Sequence, residues 1–191
     1  MKEILDQIEN EIASRNLVED QIAEILTGNK DLINRRIVGG FASVSMVDRE
    51  GQKIPVFALR KAVSEFMKDS HYRNVNIFHS DVTCGRILPK WTNPETGETL
   101  RTEVTDTGWW VLAEVRDDID IANKIWEEIL KGNIRSFSIA GSSKDKLQKQ
   151  EHGISFEQVN DLEIYECTFC AVPVNSESKF SVLWNPKKIE I

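Results

Sequence analysis

Ile134-Arg135-Ser136-Phe137-Ser138-Ile139-Ala140-Gly141 reads as a short strand, by its β-branched and aromatic content and the small residues that close it. Successive strand side chains alternate faces, so Phe137 and Ile139 point one way and Ser136 and Ser138 the other. The first face belongs to a core. The second spends its places on two hydroxyls and an alanine, and so gives up burial. Presenting a serine at an open edge of the core is one reason to do that; serine as filler on a half-exposed strand is the plainer one. Other segments must decide.

Upstream, residues 119–130 read as an amphipathic helix that delivers the chain into this strand. Ile121, Ala122, Ile125, Trp126, Ile129 and Leu130 form its inner face, Asp117 or Asp118 its cap, and Gly132 its stop. Gly108–Val115 is the clearest strand of the sequence, and the polar loop 93–98 joins two further strands. Residues 75–79 and 84–88 are strand-like. Leu59, Ala62, Val63, Phe66 and Met67 mark a second amphipathic helix, and Asp48–Gly51 a turn. Ile37–Val44 is a strand interrupted by Gly39 and Gly40, which suggests a bulge. Downstream, the polar residues 142–153 read as a mobile loop, and 162–172 as the last strong strand, closed by Pro173.

Residues 2–27 carry two helical apolar stripes, Ile4, Leu5, Ile8 and Ile12, then Val18, Ile22, Ile25 and Leu26, with a break at 14–16. The expected organisation is an N-terminal helical appendage (1–30), a main domain (36–183) and a tail (184–191). The fold class is α+β: a mostly antiparallel, barrel-like sheet, closed or nearly so, with flanking helices.

The chain of 191 residues suffices for one well-cored domain. Its net charge of −7, with no Lys/Arg run, argues against a nucleic-acid or anionic-membrane binder. No apolar run approaches a membrane span, and the first residues hold no signal-peptide core. Three cysteines are too few for a disulfide framework and fit a reducing cytoplasm.

A serine attacks a carbonyl only when a neighbouring base takes its proton, usually a histidine steadied by a third group. The three histidines are His71, His79 and His152. His71 sits in a polar helix exit and His152 in the expected mobile loop. His79 ends an apolar strand, where an imidazole could face a cleft or simply bond to backbone. Glu166 lies on one strand face with Leu162, Ile164 and Thr168, and a carboxylate among apolar neighbours needs a hydrogen-bonding or charged partner. Histidine is one such partner, Lys or Arg at a sheet edge another. Glu163 falls on the opposite, solvated face.

The order of His79, a helix, Ser136-Phe137-Ser138-Ile139-Ala140-Gly141 and Glu166-Cys167-Thr168-Phe169-Cys170-Ala171-Val172-Pro173-Val174-Asn175 resembles the tailed-phage prohead (capsid maturation) serine proteases. Those proteins are similar in fold to the herpesvirus assemblins. The resemblance implies Ser138 as nucleophile, with Ser136 as rival, His79 as base and Glu166 as the acid that orients it. It implies the scaffold, capsid precursors and the protease itself as substrates, self-association, and action inside the assembling prohead in the host cytoplasm. Ala140 before the glycine and Thr168 at the usual serine depart from the family pattern. Backbone N–H groups near Gly141-Ser142-Ser143 are the candidate oxyanion donors.

Neither a Gly-Asp-Ser-Gly-Gly nor a Gly-x-Ser-x-Gly signature is present. Cys167 and Cys170 form a C-x-x-C, but on a strand they point to opposite faces and no second pair completes a zinc site, so buried structural thiols are expected. No cofactor or metal is called for. Cys84, near His79, is a weak rival nucleophile. The rival from another class is a non-catalytic virion or assembly component with a protease-like fold.

Overall fold

The central strands are apolar on both faces, and two hydrophobic clusters account for that. In β8 (Gly108–Val115) Trp109, Val111, Ala113 and Val115 enter one cluster, while Trp110 and Leu112 enter the other. The alternation that puts neighbours on opposite faces therefore feeds two cores from one strand. β1 (Arg36–Val44) does the same, with Val38 and Ala42 in the larger cluster and Ile37 in the smaller. The structure, a computed structural model, describes residues 35–68 and 73–185. The expected helical appendage, His71 and most of the tail lie outside the described residues.

The remaining strands are β2 (Gln52–Lys53), β3 (Asn74–Ile77), β4 (Thr83–Leu88), β5 (Lys90–Thr92), β6 (Thr99–Arg101), β7 (Glu103–Val104), β9 (Ser136–Glu151), β10 (Ile154–Cys170) and β11 (Phe180–Trp184). In the main sheet the order is β11-β1-β8-β4-β3-β10-β2, with β7 added on β8 and β9 on β10. Pairing is antiparallel except where β10 meets β3 and β2. The sheet curls until its ends touch. Ser136 at the start of β9 bridges Lys179 ahead of β11, Phe137 N donates to Ser178 O at 3.0 Å, and Phe180 N donates to Arg135 O at 3.0 Å. The mostly-β, curled sheet thus agrees with the expected class.

Two helices lie against the larger cluster. α1 (Val56–Phe66) buries Ala58, Leu59, Ala62, Val63 and Phe66, with the Phe66 ring edge-on to Trp109 at 5.7 Å. α2 (Asp120–Leu130) buries Ala122, Ile125, Trp126 and Ile129. Ile121 and Leu130, expected inside, are exposed, because helical geometry places them off that i, i+3, i+4, i+7 stripe. The expected aspartate cap is absent too: Ile119 stands at the N-cap with no side-chain bond, and Asp118 is held by Arg116 at 2.7 Å.

Two further expectations are corrected. Residues 142–153 are not a loop but the outer part of the β9–β10 hairpin, closed by His152 (φ 51°) and Gly153 (φ 81°). Positive φ at both central residues is the requirement of a type I′ turn. The polar sequence reflects exposure of this arm, while its backbone groups are satisfied by pairing. Nor does the strand expected over 162–172 end the sheet: it belongs to β10, which stops at Cys170, and β11 follows it and pairs with β1.

Candidate active site

The floor of the site is a set of neighbouring strands, and the histidine comes from the turn between two of them. β3 stops at Ile77, two residues earlier than the sequence suggests. Phe78 (φ 50°) and His79 (φ 53°) both adopt the left-handed region, and Ser80 N donates to Ile77 O at 3.0 Å to close the turn. Side chains with a Cβ occupy that region at a cost on the order of 1–3 kcal/mol each, so the surroundings must hold them there. They do: Phe78 N donates to Phe169 O at 3.0 Å, and His79 N donates to Thr168 Oγ1 at 3.1 Å. Thr168 is fully buried in β10, directly opposite Ser138 in β9.

This turn brings the His79 ring between the two residues that the sequence singled out. Nδ1 lies 2.6 Å from Glu166 Oε1, and Nε2 lies 3.1 Å from Ser138 Oγ. An ionised carboxylate only accepts, so Nδ1 carries the hydrogen and Nε2 presents a lone pair to the serine hydroxyl. The other Glu166 oxygen, Oε2, accepts from Asn76 Nδ2 at 2.8 Å, and Asn76 Oδ1 accepts from Thr83 Oγ1 at 3.1 Å. The His79 side chain is 41% exposed and that of Glu166 19%.

The serine face is less open than alternation alone suggested, since Ser136 and Ser138 are 2% and 6% exposed. Ser138 borders a cleft of about 430 Å³ together with His79 and β9 residues Ile139–Gly141. The lining also includes Asp48 and Gln52, from a turn in which Asp48 Oδ1 accepts from Glu50 N and Gln52 N at 2.9 Å. Arg49 Nη1 ties this turn to Pro173 O at 3.0 Å. Ser136 pairs with Cys170 and Lys179 instead. His152 sits at the hairpin tip, beyond the site.

Support from below is aromatic. Phe137 and Phe169, the chain neighbours of Ser138 and Thr168, are fully buried and stacked at 5.6 Å, and both rings meet Phe180, at 4.7 and 5.7 Å. Gly141 lets β9 approach β10 closely, for a Cβ there would stand 2.2 Å from Glu163 O. Of the three residues whose backbone N–H groups are the expected oxyanion donors, Gly141 borders the cleft.

The cysteines stand apart from this chemistry. Cys84, Cys167 and Cys170 are free and buried. Burial pushes the Cys84 and Cys167 thiols up, and that of Cys170 to about 11. Such thiols are protonated and inert at neutral pH. Among the described residues no group of three or more His, Cys, Asp or Glu is disposed to hold a metal ion, and no helix is long and apolar enough to cross a membrane. Sequence reasoning missed Asn76 and Thr83. Their signal was a polar residue inside the otherwise apolar Val75-Asn76-Ile77 and a threonine opening the next strand.

A carboxylate, an imidazole and a serine hydroxyl bonded in that order beside a cleft form the arrangement of a serine hydrolase site. Residues 23–146 match the family described as "Putative phage serine protease XkdF", and the chain belongs to that family. The match includes His79 and Ser138 and ends before Glu166. The chain is also similar to "Uncharacterized protein YqbD" of Bacillus subtilis (strain 168), 28% identical over 116 residues, which is 60% of this chain and 33% of that protein. The chain thus spans about a third of the curated relative that it matches.

Proposed function

We propose that this chain is a serine endopeptidase of phage capsid maturation, with Ser138 as nucleophile, His79 as general base and Glu166 as the group that orients His79. The observation that carries the reading is the His79 ring itself, in hydrogen-bond reach of Glu166 on one nitrogen and of Ser138 on the other. A ring held on one side only would suit a structural histidine.

The chemistry follows from these contacts. As Ser138 Oγ attacks a peptide carbonyl carbon, its proton passes to His79 Nε2, and Glu166 stabilises the imidazolium. Collapse of the tetrahedral intermediate transfers that proton to the departing amine and leaves an acyl ester on Ser138. A water deprotonated by the same nitrogen then hydrolyses the ester. The outer edge of β9 supplies a place for the substrate backbone. Phe137 N points away from β10 towards Ser178, so strand alternation puts Ile139 N–H on the same edge, where β9 borders the cleft. An extended peptide can pair there as an added strand.

Scaffold segments, capsid precursor tails and the chain itself are the substrates this reading carries, with self-association of the protease inside the assembling prohead in the host cytoplasm. No nucleic acid, membrane, metal or cofactor takes part in it. The test follows the intact mass of concentrated wild-type protein beside Ser138→Ala and Ser136→Ala. Self-cleavage lost only in Ser138→Ala supports the proposal, and loss only in Ser136→Ala moves the nucleophile. Wild type that stays intact, both alone and with its scaffold and capsid precursors, turns the reading towards a non-catalytic assembly component.

A further inference from the structure

We infer that Asn76, fixed in turn by Thr83, is a positioning residue that locks the Glu166 carboxylate plane and through it the His79 ring. This rests on the protease reading and extends its hydrogen-bonded series from three residues to five.

A carboxylate bonded through one oxygen can still turn about its last torsion, and a ring held by such a group swings with it. Glu166 is bonded through both. Oε1 meets His79 Nδ1 at 2.6 Å and Oε2 accepts from Asn76 Nδ2 at 2.8 Å. The amide is itself restrained, because Oδ1 accepts from Thr83 Oγ1 at 3.1 Å. The carboxylate settles which end of the amide faces it, since an acceptor-only group rejects the amide oxygen. Neutral Asn76 therefore orients the carboxylate without adding a competing charge.

Strand register produces this arrangement. In β10 Thr168 is opposite both Ser138 of β9 and Asn76 of β3, and Asn76 is opposite Thr83 of β4. Serine, threonine, asparagine and threonine thus form one row across four adjacent strands, with Glu166 two residues back on β10. A bulge between Val75 and Asn76 falls beside this row, a place where strands commonly re-aim a side chain. His79 closes the series from the turn that joins the same β3 and β4.

The test measures modification of Ser138 by a small fluorophosphonate, which reads nucleophile activation without needing the natural substrate. The maximal inactivation rate and the inhibitor constant are determined separately for the full chain and for Asn76→Asp, Asn76→Ala, Thr83→Val and Thr83→Ser. Asn76→Ala removes the donor without adding a charge, and Asn76→Asp keeps the shape but replaces the donor with a like charge. The maximal rates of both are expected to fall, that of Asn76→Ala roughly tenfold to a hundredfold, as small misplacements of catalytic groups do, with the inhibitor constant unchanged. Thr83→Val falls less, and Thr83→Ser returns to wild type, with melting temperatures confirming that the variants fold. Wild-type rates in Asn76→Ala and Thr83→Val, or no recovery in Thr83→Ser, overturn the inference and leave the protease reading standing. A wild-type chain that is not modified at Ser138 overturns the protease reading, and the inference falls with it.

Discussion

Thr168 Oγ1 accepts the backbone N–H of His79 at 3.1 Å, which ties the left-handed turn carrying the imidazole to the strand opposite Ser138. One buried hydroxyl thereby sets the height of the ring over the serine. Thr168→Val, nearly the same in shape, leaves the His79 amide without that partner. The expected result is a loss of about 1 kcal/mol in stability and a fall in turnover larger than any change in KM. Thr168→Ser keeps the acceptor and both properties. Denaturant titration and steady-state kinetics on the two variants read the difference.

The Phe137, Phe169 and Phe180 rings underlie the same two strands. Phe137→Ala opens a cavity beneath Ser138 in a place that packed rings cannot refill. A destabilisation of about 3–5 kcal/mol is expected from deletion of a fully buried aromatic side chain. Phe137→Leu should lose distinctly less, and thermal melts of the two variants check the order.

Gly141→Ala brings a Cβ against Glu163 O, at 2.2 Å without relaxation. Because the obstacle is backbone, relief requires β9 to move away from β10 just past Ser138. The expected cost is about 1–3 kcal/mol, the range of an overpacked site, together with impaired self-cleavage.

Buried thiols give a pH prediction. Cys170 titrates at about 11 in the folded chain against an ordinary 9.0, and burial raises Cys84 and Cys167 as well. Their contribution to stability is complete below about pH 9. Above it the unfolded chain releases thiol protons that the folded chain retains, so stability falls as pH rises towards 11. Denaturation midpoints across that window should decline, and replacing Cys170 by Ala should flatten part of the decline. At neutral pH all three thiols should resist iodoacetamide until the chain unfolds, and alkylating reagents should leave proteolysis intact.

Much of this was legible in the sequence for identifiable reasons. β8 and β1 announce themselves as apolar runs, and Ser138, His79 and Glu166 stand in an order and context that few alternatives share. What escaped was set by register and backbone conformation. Asn76 becomes a partner of Glu166, and Thr83 of Asn76, only once β3 lies between β10 and β4, which no local pattern reveals. Phe78 and His79 carry no glycine or asparagine to signal a left-handed turn, so the strand seemed to run on through them. Residues 142–153 read as a loop because none of them is buried, and His152-Gly153, at positive φ, is not among the dipeptides that usually announce a two-residue hairpin turn. Polar composition reported exposure there, and exposure is compatible with a paired strand.

The measurement that bears most directly on the central claim is covalent capture of the nucleophile. The full chain, its His79→Ala and Glu166→Gln variants, and Ser138→Ala are exposed to a fluorophosphonate, digested and mapped by mass. The account predicts a single phosphonyl adduct on Ser138. Its rate should fall on the order of 10⁴-fold in Glu166→Gln, as when the orienting acid of such a triad is neutralised. His79→Ala should slow it at least as strongly, and Ser138→Ala should show no adduct. An adduct on Ser136 or another serine, or a Ser138 adduct indifferent to His79, would contradict it.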